Sequence, residues 1–264
     1  MIEAVLAVAS PADPWLPETP ARLEWRIAWG DEFDGDRLDE AKWEVPEYKR
    51  RDAFWSKRAV VVRDGVLRIL TLQDPDGSLF DACVRSKGRF EHTYGFYVAR
   101  IRLHRSPGHW PAFWLYNDAQ GRLGEGGANG AEIDIMEKPW IGDSYNMAIH
   151  WDGYGEHHRS AGRAASVPGL QQGWHDFALE WSPKSYAFYV DGREVWRTDA
   201  GGVCRVPLYV KLSDELQLDG WAGRLDRSRL PDFFEADFVR VYDLVDRATG
   251  RRVFQAHPDE LPKR

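Results

Sequence analysis

The chain has 264 residues, with 35 Lys and Arg against 42 Asp and Glu, a formal charge of −7. At 43% apolar it can pack a core, which excludes intrinsic disorder, and its acidic balance argues against nucleic acid or an anionic membrane as partner. Two cysteines, Cys83 and Cys204, exclude a disulfide scaffold and an all-cysteine zinc site, and no apolar run approaches the ~20 residues of a membrane helix.

Residues 1–20, with Pro11, Pro14, Pro17 and Pro20, read as an extended arm ahead of one domain over 21–264. Met1 to Pro14 has a short apolar stretch like that of a secretory signal, but no Lys or Arg precedes Arg22 to supply the positive end. A turn or two of helix is expected around 39–43 and 226–230. Lys49-Arg50-Arg51 is a short basic run, either a solvated turn or a face for an anionic sugar. Asp64-Gly65 and Asp191-Gly192 each separate two apolar runs, the strongest short-range hairpin signal. Residues 95–104 alternate, with Tyr97, Ala99, Ile101 and Leu103 on one face. Residues 174–181 and 236–242 do the same through Phe177, Leu179 and Trp181 and through Val239 and Val241. About a dozen such runs at close spacing predict an all-β fold, an antiparallel sandwich. The Gly-rich stretch 118–130 and the polar stretch 152–173 are expected as loops at the mouth of whatever the sheets hold.

The chemistry points to Ala131-Glu132-Ile133-Asp134-Ile135-Met136-Glu137. On a strand, Glu132 and Asp134 share a face while Ile133 and Ile135 enter the opposite layer. Strict alternation would turn Glu137 away; a β-bulge near Ile135-Met136 brings it back. Three acids then stand in a row, Glu132 and Glu137 roughly 13 Å apart along the backbone, with side chains long enough to lean together. A retaining glycosidase needs two carboxyls about 5–5.5 Å apart, one as nucleophile and one as acid/base. Crowding also keeps one of the acids protonated near neutral pH. The plainer reading, an outward acidic strand, fits any two of these residues better than all three.

Around this motif the chain resembles glycoside hydrolase family 16, whose signature is Glu-x-Asp-x-x-Glu in its bulged form. Asp31-Glu32-Phe33-Asp34-Gly35, Leu38-Asp39 and Lys42-Trp43 look like the family's opening segment, and Ser86-Lys87 and Tyr94-Gly95 like its central scaffold. Trp110-Pro111-Ala112-Phe113-Trp114 is similar to the segment before the catalytic strand. Trp174-His175 to Trp181, Phe188 to Gly192 and Asp237 to Tyr242 fit the later strands. The resemblance, over about residues 25–243, implies a β-jelly roll with a concave cleft and retaining endo-cleavage of a β-linked polysaccharide. Glu132 would be nucleophile, Asp134 assistant and Glu137 acid/base. It further implies a secreted or periplasmic enzyme, expected as a monomer, with no cofactor for catalysis and a structural calcium at Asp237, near the Gly65 turn.

Trp-Pro-Ala-Phe-Trp looks like laminarinases and other β-1,3-glucanases, so a β-1,3- or β-1,3-1,4-glucan is the expected substrate. Cys83 stands where those enzymes often carry Arg, and Leu212 to Trp221 departs from their Gly-Gly-Asn-Trp-like loop. A β-galactan of agarase, porphyranase or carrageenase type is therefore an alternative, as is a non-catalytic carbohydrate-binding jelly roll. The 13 Trp, 10 Tyr and 12 Phe exceed what a core requires. Trp110, Trp114, Trp140, Trp151 and Trp221 are candidate sugar platforms, because an indole face covers the C–H face of a pyranose. Trp25, Trp43, Trp181 and Trp196 read instead as core. By the resemblance His150 lies on the strand beside the catalytic one, where it bonds a sugar hydroxyl or Asp134. His104, His109, His157 and His158 show no ligand spacing for zinc, and the cysteines are expected as buried free thiols.

Overall fold

The computed structural model describes residues 13–255; residues 1–12 of the expected arm and residues 256–264 lie outside the described residues. Two sheets face each other. A seven-stranded sheet runs in the order Arg159–Ser166, Ser144–Trp151, Glu132–Glu137, Ala112–Tyr116, Leu208–Ser213, Cys83–Arg85, with Glu91–His92 also paired to Leu208–Ser213. The second, of eleven strands, centres on Gly95–Arg102 and the 15-residue strand Asp232–Asp246. All pairings are antiparallel except that of Ala53–Trp55 with Leu79–Asp81, which is parallel. Among the described residues, no helix is long and apolar enough to cross a membrane.

Alternation sorts the side chains as expected. Tyr97, Ala99, Ile101 and Leu103 join Phe177, Leu179, Trp181, Val239 and Val241 in the core between the sheets, opposite Phe113, Leu115, Ile133, Met147 and Ile149. Each large apolar side chain so buried contributes roughly 1.5–3 kcal/mol. The even-numbered set, Phe96, Val98, Phe238 and Tyr242, forms a second cluster on the outer face of the larger sheet, capped by Trp15. Both Asp-Gly pairs make tight hairpins with both residues at positive φ, 57° and 72° at Asp64-Gly65 and 48° and 74° at Asp191-Gly192. That is the backbone an Asp-Gly turn favours. Cys83 and Cys204 are buried and free.

The expectation for 152–173 needs correction. Arg159–Ser166 is an edge strand paired along its whole length with Ser144–Trp151. Its sequence, Arg-Ser-Ala-Gly-Arg-Ala-Ala-Ser, carries no large apolar residue, because an edge strand over the cleft has nothing to bury. Loop remains at 152–158 and 167–173. In 118–130, two short 3-10 turns, Asp118–Gly121 and Gly126–Asn129, interrupt the loop. The expected turn near 226–230 is a 3-10 helix over Arg227–Arg229; at 39–43 a turn closes through Trp43 N–H to the Asp39 carbonyl.

Candidate active site

The bulge is present. Asp134 pairs with Ala148 and Glu137 with Asn146, so Ile135 and Met136 together oppose Met147 alone. Both bulge residues pack in the core, and Glu137 returns to the face of Glu132 and Asp134. The three acids line the floor of a cleft of about 740 Å³. An oxygen of Glu132, an oxygen of Asp134 and a ring nitrogen of His150 lie within 4.8 Å of one another.

Each acid has a distinct environment. Glu137 is 7% exposed and accepts from Trp110 Nε1 (2.9 Å) on Oε1 and from Asn146 Nδ2 (2.8 Å) on Oε2. Burial, then the charge of Asp134, lifts its pKa well above the ordinary value, against the pull of those two donors. Asp134, 4% exposed, is raised as strongly, by burial and then by Glu132; His150 Nε2 stands 3.3 Å from its Oδ2. Glu132 is raised less. Burial pushes it up, while a hydrogen bond from the Tyr154 phenol to Oε2 and the nearby His150 pull it back. Burial thus raises all three carboxyls, Glu132 the least.

Trp110, Trp114, Trp221 and His150 line this cleft as the sequence suggests. Trp114 forms its floor, with Nε1 donating to Ser213 Oγ (2.9 Å), and Trp221 stands edge-on to Trp110 at its rim. Trp140 is a correction: it packs edge-on behind Trp221 and does not itself line the cleft. Trp151 is another. His150 faces the cleft, so the next residue on a pleated strand faces the core, and Trp151 is buried there. Leu67 pairs with Ala236, which sets the Gly65 turn beside Asp237. The half-exposed Asp237 carboxylate has Arg100 Nη1 3.9 Å away. Among the described residues, the acids and histidines that group closely enough to share an ion do not include it.

Several cleft residues carried no usable sequence signal: Tyr154 and His158 from the 152–158 loop, Asn146, Ser213 and Glu215. Tyr154 sits in a Gly-Tyr-Gly stretch that resembles any polar loop. Only the basic run at 49–51 marked a place worth examining.

His104 and His109, apparently unrelated in the sequence, meet beneath this site. Their rings stack at 3.9 Å and 8°, with His104 Nε2 3.1 Å and His109 Nδ1 3.2 Å from Asp214 Oδ2. A metal binds an imidazole in its ring plane, so two parallel rings cannot share one ion. The cluster is a brace instead. Thr71 Oγ1 donates to Asp214 Oδ2 (2.9 Å), and Asp214 Oδ1 accepts the Trp110 backbone N–H (2.9 Å), anchoring the residue whose indole holds Glu137. Burial would raise the Asp214 carboxyl, but His104 and His109 more than reverse that and hold it far below its ordinary value. Stability from this carboxylate is thus present above the ordinary Asp pKa and is lost as pH falls through the depressed one. Asp214→Ala, which strands buried polar partners, is expected to cost about 3–5 kcal/mol, read as a fall in urea midpoint at neutral pH.

A sandwich presenting three crowded carboxyls in an aromatic-lined cleft is the framework of a glycoside hydrolase. The family model "Glycosyl hydrolases family 16" matches residues 47–233, and the chain belongs to that family. It is 28% identical over 250 residues to a beta-glucanase of Rhodothermus marinus, covering 84% of this chain and 86% of that one. It is 27% identical over 244 residues to a keratan-sulfate endo-1,4-beta-galactosidase of Sphingobacterium multivorum, covering 86% of this chain but only 57% of that enzyme. The endo-beta-1,3-glucanase of Pyrococcus furiosus superposes with a TM-score of 0.69 at 25% identity, covering 84% of this chain and 95% of that one.

Proposed function

We propose that this glycoside hydrolase is endo-acting and retaining, and that it cleaves a β-1,3- or β-1,3-1,4-linked glucan outside the cytoplasm. The observation that carries the mechanism is the β-bulge that sets Glu132, Asp134 and Glu137 together on one cleft floor. Glu132 attacks the anomeric carbon as the glycosidic C–O bond breaks, and the leaving oxygen takes the proton from Glu137. Asp134, its pKa raised by burial and then by Glu132, steadies the nucleophile. The glycosyl ester is then opened by water, which gives a proton to Glu137 as its oxygen bonds the anomeric carbon and frees Glu132. Trp110, held on Glu137, and Trp221 beside it offer ring faces to the sugars.

The glucan assignment is supported by the likeness to the glucanases of Rhodothermus and Pyrococcus. Incubation with laminarin, mixed-linkage glucan, agarose and carrageenan, followed by product chromatography, tests it. Short β-glucan oligosaccharides released from internal sites are the expected result. Cleavage of a galactan alone overturns the glucan assignment, and binding with no shortening of any polymer overturns the enzyme reading.

Calcium beside Asp237 is part of the proposal. With one carboxylate facing Arg100, most of the six to eight oxygens such an ion takes would be backbone carbonyls. Calcium in excess of chelator is expected to raise Tm by a few degrees, and Asp237→Ala to remove that increment. An unchanged Tm on chelation removes calcium from the account.

A further inference from the structure

The basic run at 49–51 is not a solvated turn. Tyr48–Arg50 and Ala53–Trp55 form a hairpin whose turn residue Arg51 adopts a φ of 52°, and it carries Arg50 and Arg51 onto the cleft wall. Both meet one carboxylate. Arg50 Nε donates to Glu215 Oε1 at 2.9 Å, and Arg51 Nε donates to Glu215 Oε2. Each guanidinium also lies over an indole, Arg50 over Trp55 at 5.4 Å and Arg51 over Trp110 at 4.6 Å. These contacts fix both planes and use one nitrogen of each fork. The hydrogen bonds of both arginines to Glu215 run through Nε, at one edge of each guanidinium.

The charge count makes this arrangement informative. A single arginine would neutralise Glu215. A second stands beside it, and Lys211, its Nζ 3.4 Å from the Trp114 ring centroid and its pKa lowered by burial, has no carboxylate in ion-pair range among the described residues. Two guanidinium groups thus flank the single Glu215 carboxylate on the cleft wall of a chain whose net charge is −7. Crowding like charges is unfavourable unless something anionic joins them, and paired guanidinium forks match the oxygens of a sulfate ester or a carboxylate.

We propose that Arg50 and Arg51 form a subsite for an oxyanion substituent, so that the preferred glycan in this cleft carries acidic groups. This rests on the cleft being a glycan site; it adds that the chain bound there is not neutral.

The test uses laminarin, sulfated laminarin and laminarin oxidised to carboxylates at C6, bound to the Glu132→Gln protein and cleaved by the unmodified enzyme. A sulfated or carboxylated polymer should bind about tenfold or more tighter than laminarin at low salt. The preference should shrink as ionic strength approaches ~1 M, where the Debye length is about 3 Å. Whichever acidic polymer shows the larger preference identifies the substituent. Arg51→Gln should abolish the preference, while Arg51→Lys, which keeps the charge without the planar fork, should retain part of it. Equal binding of neutral and acidic polymers, or a preference insensitive to salt, overturns the proposal even if Arg51→Gln does not fold. The two readings fail separately. Cleavage of laminarin with no acidic preference removes only the subsite, and Arg51-dependent binding without cleavage removes only the glucanase assignment.

Discussion

Glu132→Gln is expected to reduce polysaccharide cleavage by on the order of 10⁴-fold or more while the protein stays folded. The amide keeps the shape of the side chain and an oxygen for the Tyr154 phenol, but it has no lone pair basic enough to attack the anomeric carbon. Reducing-end release measures the loss and the thermal transition confirms the fold. Azide offered to Glu132→Ala should restore turnover and yield a glycosyl azide of opposite anomeric configuration, because it attacks directly from the emptied position. Residual activity within about tenfold of the unmodified enzyme would place the nucleophile elsewhere.

Glu137→Gln should behave differently. Proton donation to the leaving oxygen contributes about 10²–10⁴-fold, so polysaccharide hydrolysis should fall by that amount. An aryl glycoside whose leaving group needs no proton should form the glycosyl ester at close to the normal rate. Equal loss on both substrates would remove Glu137 from the acid role.

The same substitution carries a stability signature. The folded-state pKa of Glu137 is raised, so its contribution is fully present below the unfolded value and is lost as pH rises through the folded one. Replacing it with a neutral amide should therefore raise Tm relative to the unmodified protein in alkaline buffer and have little effect at acid pH. In the proposed mechanism, an acid buried against Asp134 lowers stability in exchange for function.

The bulged acid strand was legible because its logic is local. Period-2 alternation places Glu132 and Asp134 together, and only an inserted residue at Ile135-Met136 can return Glu137 to them. The Asp-Gly hairpins and the core faces of Gly95–Arg102 and His175–Trp181 follow from the same short-range rules. Trp151 could have been placed correctly from that alternation, since a cleft-facing His150 commits its neighbour to the core. The edge strand Arg159–Ser166 was missed because hydrophobic patterning marks burial, and that strand buries little.

Order along the chain thus decided which residues share a face: the bulged acid row, the sandwich's apolar faces and the tight turns, all governed by backbone geometry within a few residues. Tertiary structure decided which faces meet. Glu215 and the arginines 50 and 51 lie some 165 residues apart in the chain, and His104 and Asp214 some 110, yet each set forms a contact that tunes or braces the cleft. Such pairings depend on sheet order and crossovers, which no local pattern encodes. The raised pKa values of the three acids depend on them too, because desolvation comes from the whole wall that closes around the strand.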